Sequence, residues 1–133
     1  MKITLSKINP TSTILSDFLL DKIKNSKMRS DTIHYIAKLN LEELAFISLE
    51  IPENKTYLHL YEIIVEEKHR NKGHGTQIVK EILRLAKDHN RKEIYLTPRS
   101  LDPTVSTKIL IYWYESFGFK KMTNSSEMFE LKL

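Results

Sequence analysis

Glu62-Ile-Ile-Val-Glu-Glu-Lys-His-Arg-Asn-Lys-Gly-His-Gly-Thr-Gln-Ile78 joins a β-branched run to an amphipathic one, through a loop holding two of the chain's three glycines. Gly73 and Gly75 stand where the backbone must turn sharply and approach something closely, because a Cβ would obstruct both. A helix begins just past them, and its first turn presents unpaired N–H groups with a partial positive charge. Lys68, Arg70 and Lys72 add full positive charges to the same loop. Strand, glycine loop, helix N-terminus and basic side chains together describe a site for an anion, best matched by a phosphate or pyrophosphate. Two common phosphate motifs are excluded. No Gly-x-x-x-x-Gly-Lys-Ser/Thr run occurs, and the third glycine of a dinucleotide fingerprint would fall at Ile78.

Composition sets the frame around this stretch. With 133 residues, the chain reads as one domain, residues 1–133, long enough for a core of its own. Hydrophobic content of 41% and charged content of 29% are those of an ordinary globular protein. Cysteine is absent, which removes disulfides, thiolate metal sites and thiol nucleophiles. Met1–Leu5 lacks the apolar core of a secretion signal, and no apolar run approaches membrane-spanning length, so a cytoplasmic location is expected. A net charge of +4 favours anionic ligands in general, though solvated surface lysines would give the same number.

Outward from the loop, the pattern alternates between strands and helices. Lys2–Ser6 alternates as a strand, and Asn9–Thr13 offers helix-start chemistry ahead of Ile14, Leu15, Phe18, Leu19 and Ile23 at helical spacing. Asn25–Asp31 is polar and breaks that pattern. Thr32–Leu39 and Leu44–Ile51 read as strands around a turn at Asn40–Glu43, and Thr56–Val65 follows a turn at Pro52–Lys55. Strict alternation puts Leu58, Leu60, Glu62 and Ile64 on one face of that strand, and Tyr57, His59, Tyr61, Ile63 and Val65 on the other. After the glycine loop, Ile78, Val79, Ile82, Leu85 and Ala86 form the apolar side of a helix. Glu93–Thr97 is a further strand, parallel to Thr56–Val65 because a helix connects them. Pro98–Pro103 is a loop, Thr104–Phe117 a helix closed by Gly118, and Lys120–Thr123 with Met128–Leu133 a hairpin across Asn124–Glu127.

Arg70-x-x-Gly73-x-Gly75, five residues after Val65 and running into a helix, resembles the acyl-CoA-binding signature of the GNAT N-acyltransferase family. Tyr114-Glu-Ser-Phe-Gly-Phe119 is similar to the Tyr-x-x-x-Gly-Phe run that closes the family's last helix. The two signatures occur in order within a strand and helix succession that spans almost the whole chain. Where the family often has Pro two residues after the valine, Glu67 stands here. Where it often has Asn seven residues before the tyrosine, Thr107 stands, a difference that bears on a side-chain contact to the pantetheine.

The resemblance implies a mixed α/β fold, with a twisted sheet of about six or seven strands and helices on both faces. It implies acetyl-CoA as co-substrate and no metal, with pantetheine against Ile63 and Val65 in a splay between Thr56–Val65 and Glu93–Thr97. It assigns Arg70, Asn71, Lys72, Gly73, His74, Gly75 and Thr76 to the pyrophosphate, mostly through main-chain N–H groups. Tyr114 matches the tyrosine that protonates the departing sulfur in many members, although Ile109, Leu110, Trp113, Tyr114 and Phe117 could equally be core. His59, six residues before Val65, stands where some members carry a base, and an imidazole titrates near neutrality. Glu62 is its rival, since a carboxylate among Leu58, Leu60 and Ile64 is unusual, and a strand bulge would reverse the parity in its favour. His34, His69, His74 and His89 show no metal-ligand spacing.

The function expected is N-acetyl transfer to an amine acceptor, set by Asn25–Asp31, Asn40–Glu43 and Pro98–Pro103. The alternative is a catalytically silent acyl-CoA-binding module that serves as sensor or interaction partner. A nucleic-acid binder using Lys68–Lys72 would need interleaved aromatics or a helix-turn-helix pattern, and neither is present. No membrane partner is expected, and a homodimer is compatible with either of the first two readings.

Overall fold

The computed structural model describes residues 2–26, 32–99, 105–124 and 127–133. Its elements are β1 (Ile3–Lys7), α1 (Asp17–Asn25), β2 (Ile33–Leu39), β3 (Glu42–Glu50), β4 (Tyr57–Val65), α2 (His74–Asp88), β5 (Glu93–Leu96), α3 (Thr107–Glu115), β6 (Lys120–Lys121) and β7 (Phe129–Lys132). A single 3-10 turn, Glu67–His69, follows β4. The seven strands form one sheet in the order β1-β2-β3-β4-β5-β7-β6. Only β4 and β5 run parallel, as a strand–helix–strand connection requires, and the other pairings are antiparallel. Among the described residues, no helix is long and apolar enough to cross a membrane.

Both faces of the sheet carry helices. Leu19 of α1 is fully buried against Ile36 and Phe46, with Ile64 alongside. On the other face Ile78, Ile82 and Ala86 of α2 and Tyr114 of α3 join Ala45, Ile47, Leu58, Leu60 and Ile94 in the larger cluster. The apolar spacing along α2 explains its half of this, since a stripe at 3.6-residue period needs an apolar surface to cover.

The first helix starts later than the sequence suggests. Asn9 and Thr11 spend their polar groups on a local turn, in which Asn9 Oδ1 accepts from the Thr11 amide and hydroxyl. Ser16 is the true cap, its Oγ accepting from Leu19 N at 3.1 Å. Glu43, only 8% exposed, reaches across from β3 and accepts from Leu15 N at 2.9 and 3.0 Å and from Ser16 N at 2.7 Å. A carboxylate at a helix N-terminus satisfies orphan donors and the dipole together. The turn between β2 and β3 is shorter than expected, just Asn40 and Leu41, with Asn40 left-handed at φ 58°.

Two bulges alter the strand faces. Ala37 pairs with Ala45 and Lys38 with Glu43, so Leu44 is the extra residue of β3. Leu49 pairs with Leu60 and Ser48 with Glu62, so Tyr61 is the extra residue of β4. The second bulge corrects the expected parity. Leu58 and Leu60 share the α2 face with Ile63 and Val65, while Glu62 and Ile64 lie on the α1 face. His59 therefore sits on the face opposite Val65, its ring stacked on Tyr61 at 4.4 Å.

The last helix is capped by Ser106, whose Oγ accepts from Ile109 N. The expected start at Thr104 falls outside the described residues, as do residues 27–31 of the polar segment, residues 100–103 of the proline loop and residues 125–126 of the last turn. Removing the Glu43 anchor should matter more than its surface-like residue type suggests. Glu43→Ala leaves two part-buried amides without their acceptor and should lower unfolding stability by about 1–3 kcal/mol, measured by urea titration.

Candidate active site

The site is made where β4 and β5 part. Their ladder runs from Tyr57↔Glu93 to Leu60↔Leu96 and stops, while β4 continues to Val65 with β3 still paired on its other edge. The expected splay between these strands is thus present. Beyond it opens a cavity of about 430 Å³ lined by Leu60–Val65, the glycine loop, Thr97, Arg99 and α3. Because β5 has ended, the β4 edge over this stretch faces the cavity instead of a neighbouring strand.

The glycine loop closes the far end. Val65 ends β4, the 3-10 turn follows, and Asn71 (φ 61°) and Gly73 (φ 80°) are both left-handed just before α2. Gly73 is the helix N-cap, and a Cβ there would meet nothing within 4 Å. Its glycine is a conformational requirement, and the space beside it stays open for a ligand. Gly75 has a different reason, since a Cβ would stand 3.1 Å from Trp113 Cζ2 of α3. Close approach is needed there, but toward the indole. Residues 69–71 and 73–76 line the cavity, so the amides of the first turn of α2 border it.

The basic side chains of the loop are differently disposed. Arg70 Nε donates to Val65 O at 3.1 Å, and its guanidinium lies 5.7 Å from the Phe18 ring centroid. It ties loop to strand and to α1. Lys68 pairs with Glu66 at 3.6 Å and Glu42 at 4.0 Å. His69 Nε2 approaches Glu42 to 2.9 Å, an ion contact outside hydrogen-bond geometry. Lys68 and Lys72 are exposed and do not line the cavity. Arg70 and Arg99 border the cavity together with the amides of the first turn of α2.

Tyr114 of α3 lines the same cavity from the opposite wall, 7% exposed and braced edge-on by Trp113 and Phe119 at 4.9 and 5.6 Å. Burial pushes its phenol up to about 12, so it stays protonated across the range in which enzymes work. Glu62, Ile63 and Val65 also line the cavity; His59 is not among the lining residues. Among the described residues, no group of His, Asp or Glu could hold a metal ion.

Sequence reasoning missed three contributors: Trp113 as the partner of Gly75, and Arg99 and Ile109 on the walls. Trp113 could have been suspected, because a glycine within a helix's first turn invites a large neighbour. The other two carried no pattern.

A backbone anion cradle at a helix N-terminus, joined to an open strand edge and a buried tyrosine, defines a cleft for a long ligand with a phosphate-bearing end. Residues 30–121 match the acetyltransferase (GNAT) domain, and the chain belongs to that family. A GNAT family acetyltransferase from Elizabethkingia anophelis, solved with acetyl-CoA bound, superposes with a TM-score of 0.69 at 20% identity over 99% of each chain. An acetyltransferase from Bacillus cereus, described as acting on IAA, gives 0.70 at 14% identity over 99% of this chain and 100% of that one. An aminoglycoside 6'-N-acetyltransferase complexed with coenzyme A gives 0.69 at 18% over 97% and 96%. No curated protein sequence matches the chain.

The Gly75–Trp113 contact can be tested directly. Gly75→Val should destabilise the fold by about 1–3 kcal/mol through overpacking. The chain's one tryptophan makes the same variant visible as an altered emission spectrum. Unchanged stability and emission would show that the indole yields freely.

Proposed function

We propose that the protein is an N-acetyltransferase that moves the acetyl group of acetyl-CoA to an amine by direct attack on the thioester. The observation that carries this reading is one continuous cavity bordered by the α2 N-terminus, the part of β4 beyond its ladder with β5, and Tyr114. The residues present fit acetyl-CoA. Amides at Gly73–Thr76 would hold the pyrophosphate, and the edge at Ile63–Val65 would pair with the amide groups of pantetheine. When bound, acetyl-CoA supplies an activated acyl carbon and a thiolate leaving group.

Three tasks then fall to the chain. The cleft orients an amine against the acyl carbon, which alone removes much of the entropic barrier. Glu62 takes the amine's proton, directly or through water, as the C–N bond forms. Tyr114 gives its hydroxyl proton to the sulfur as the C–S bond breaks. A phenol that ionises only near 12 is always protonated when the sulfur leaves; handing its proton to a thiolate of ordinary range near 8.5 is an uphill transfer, which reprotonation of the phenolate from solvent completes. Position favours Glu62 over His59 as the base, because only the former borders the cavity.

Acetyl-CoA at a hundredfold excess over its dissociation constant should add about 2.7 kcal/mol of stability and raise the melting temperature. No response to acetyl-CoA, CoA or longer acyl-CoAs would sink the reading. Acetyl transfer screened against small amines, peptides and aminoglycosides identifies the acceptor.

Tyr114→Phe should keep acetyl-CoA binding but slow turnover about 10²-fold or more. An unchanged rate would return Tyr114 to a packing role.

A further inference from the structure

The cavity passes through the sheet at the splay. Ile63, Val65 and Tyr114 line it from the α2 face, and Glu62 and Ile64 from the α1 face. In the proposed reaction Tyr114 stands behind the leaving sulfur, so the amine arrives from the Glu62 side. What adjoins Glu62 on that side follows from the register. Glu50↔His59, His59↔Tyr95 and Tyr95↔Glu130 form one row across β3, β4, β5 and β7. Their sequence neighbours Leu49, Leu58, Ile94 and Leu131 belong to the core on the α2 side, so the row lies on the opposite face. All four of its side chains are part-exposed, and α1 packs to one side of them, on Ile36, Phe46 and Ile64.

Tyr61 joins this row to the cavity. As the extra residue of β4 it lines the cavity, its ring stacks on His59 at 4.4 Å, and its hydroxyl donates to Glu50 at 2.8 Å. A second stack, Tyr57 on Tyr95 at 4.6 Å, lies further along the same face. Burial pushes the Tyr95 phenol up, and the Glu93 and Glu130 carboxylates add to that effect, the mark of a negative local field. Cations stand at the margins. Lys120 and Lys132 are exposed on β6 and β7, and Arg99, also exposed, lies beyond the end of the β5 ladder. In a chain of net charge +4, this face reverses the sign. Electron-rich ring faces and carboxylates attract the same group, an ammonium.

We propose that the acceptor carries a second positive charge: it is a short aliphatic di- or polyamine whose far ammonium is held by Glu50 against the Tyr61 ring, while its near nitrogen meets the thioester beside Glu62. Glu50 and Tyr61 are then specificity-determining residues. The assignment of the near nitrogen rests on the acetyltransferase reading. Ser48 pairs with Glu62, so Glu50 is the diagonal neighbour of Glu62 across the two strands, at about 7–8 Å. That is the reach of a short alkyl chain between two nitrogens. The far ammonium keeps its protons and takes no part in bond making.

Isothermal titration calorimetry of the full chain, with and without CoA, compares putrescine with n-butylamine, which has the same carbon chain and one nitrogen fewer. Putrescine should bind about tenfold tighter, as a cation–π contact and a part-exposed ion pair together allow. Glu50→Gln keeps an acceptor for the Tyr61 hydroxyl but removes the charge, and should bring the two amines to near parity. Equal binding of the two amines by the wild type overturns the proposal. So does an absence of putrescine binding both with and without CoA, or a preference that survives in Glu50→Gln. The titration without CoA does not depend on the cofactor. A protein that prefers putrescine there, yet ignores acetyl-CoA in the melting experiment, fails the acetyltransferase reading alone.

Discussion

Everything at this site depends on the parting of two parallel strands. β4 is held along its full length by β3, out to Ala45↔Val65, and Glu66 N continues the ladder to Leu44 O at 2.7 Å. On its other edge the pairing with β5 ends at Leu60↔Leu96. One edge of the strand is thus paired along its length, while the other lacks a neighbouring strand over its last residues, where Val65 O accepts from Arg70 Nε. An open strand edge in mid-sheet is costly when buried and hazardous when exposed. Here it borders a cavity roofed by Tyr114 and Trp113, which shields it from other chains and leaves it available to a ligand that can hydrogen-bond like a peptide.

The bulge at Tyr61 follows from the same parting. A residue inserted into β4 bends the strand just after its last pairing with β5, where it must diverge while staying registered with β3. The insertion turns the following residues over. Ile63 and Val65 go to the α2 face, and Glu62 goes to the α1 face in line with Ser48 and His34. One local irregularity therefore opens the cleft and decides which carboxylate stands beside it. α1 is held on that same face by Glu43 and by Arg70 over Phe18, so the glycine loop, the first helix and the carboxylate row are mechanically joined.

Much of this was legible in the sequence where the signal is local. The glycine loop, the helix from Ile78 to Ala86 and the parallel return through Glu93 follow from spacing and turn chemistry, and the tyrosine near the end of the last helix from its resemblance to the family's closing run. What was not legible depends on partners distant in sequence. Strict alternation put His59 with Val65, and only pairing with Leu49 and Ser48 exposes the extra residue. Asn9–Thr13 looked like a helix start, but its side chains satisfied each other, and Ser16 took the cap with help from Glu43. The cations of the loop looked alike in sequence, yet Lys68 pairs with Glu42 and Glu66 away from the cavity, whereas Arg70 borders it while donating to Val65 O.

The scarcity of glycine explains why the loop stood out at all. The chain turns left-handed at Asn40, Asn54, Asn71 and Asn90, all with φ between 58° and 62°, inside the small well that asparagine tolerates. Glycine is kept for what asparagine cannot do. Gly118 at φ 104° lies beyond that well, and Gly73 at φ 80° lies at its margin. Gly75 carries no unusual φ but gives up its Cβ to Trp113. Where turns are made by asparagine, each remaining glycine marks a backbone angle or a close contact that a side chain would oppose. Two such positions within three residues, at the start of a helix, are a far stronger sign of a built site than they would be in a glycine-rich chain.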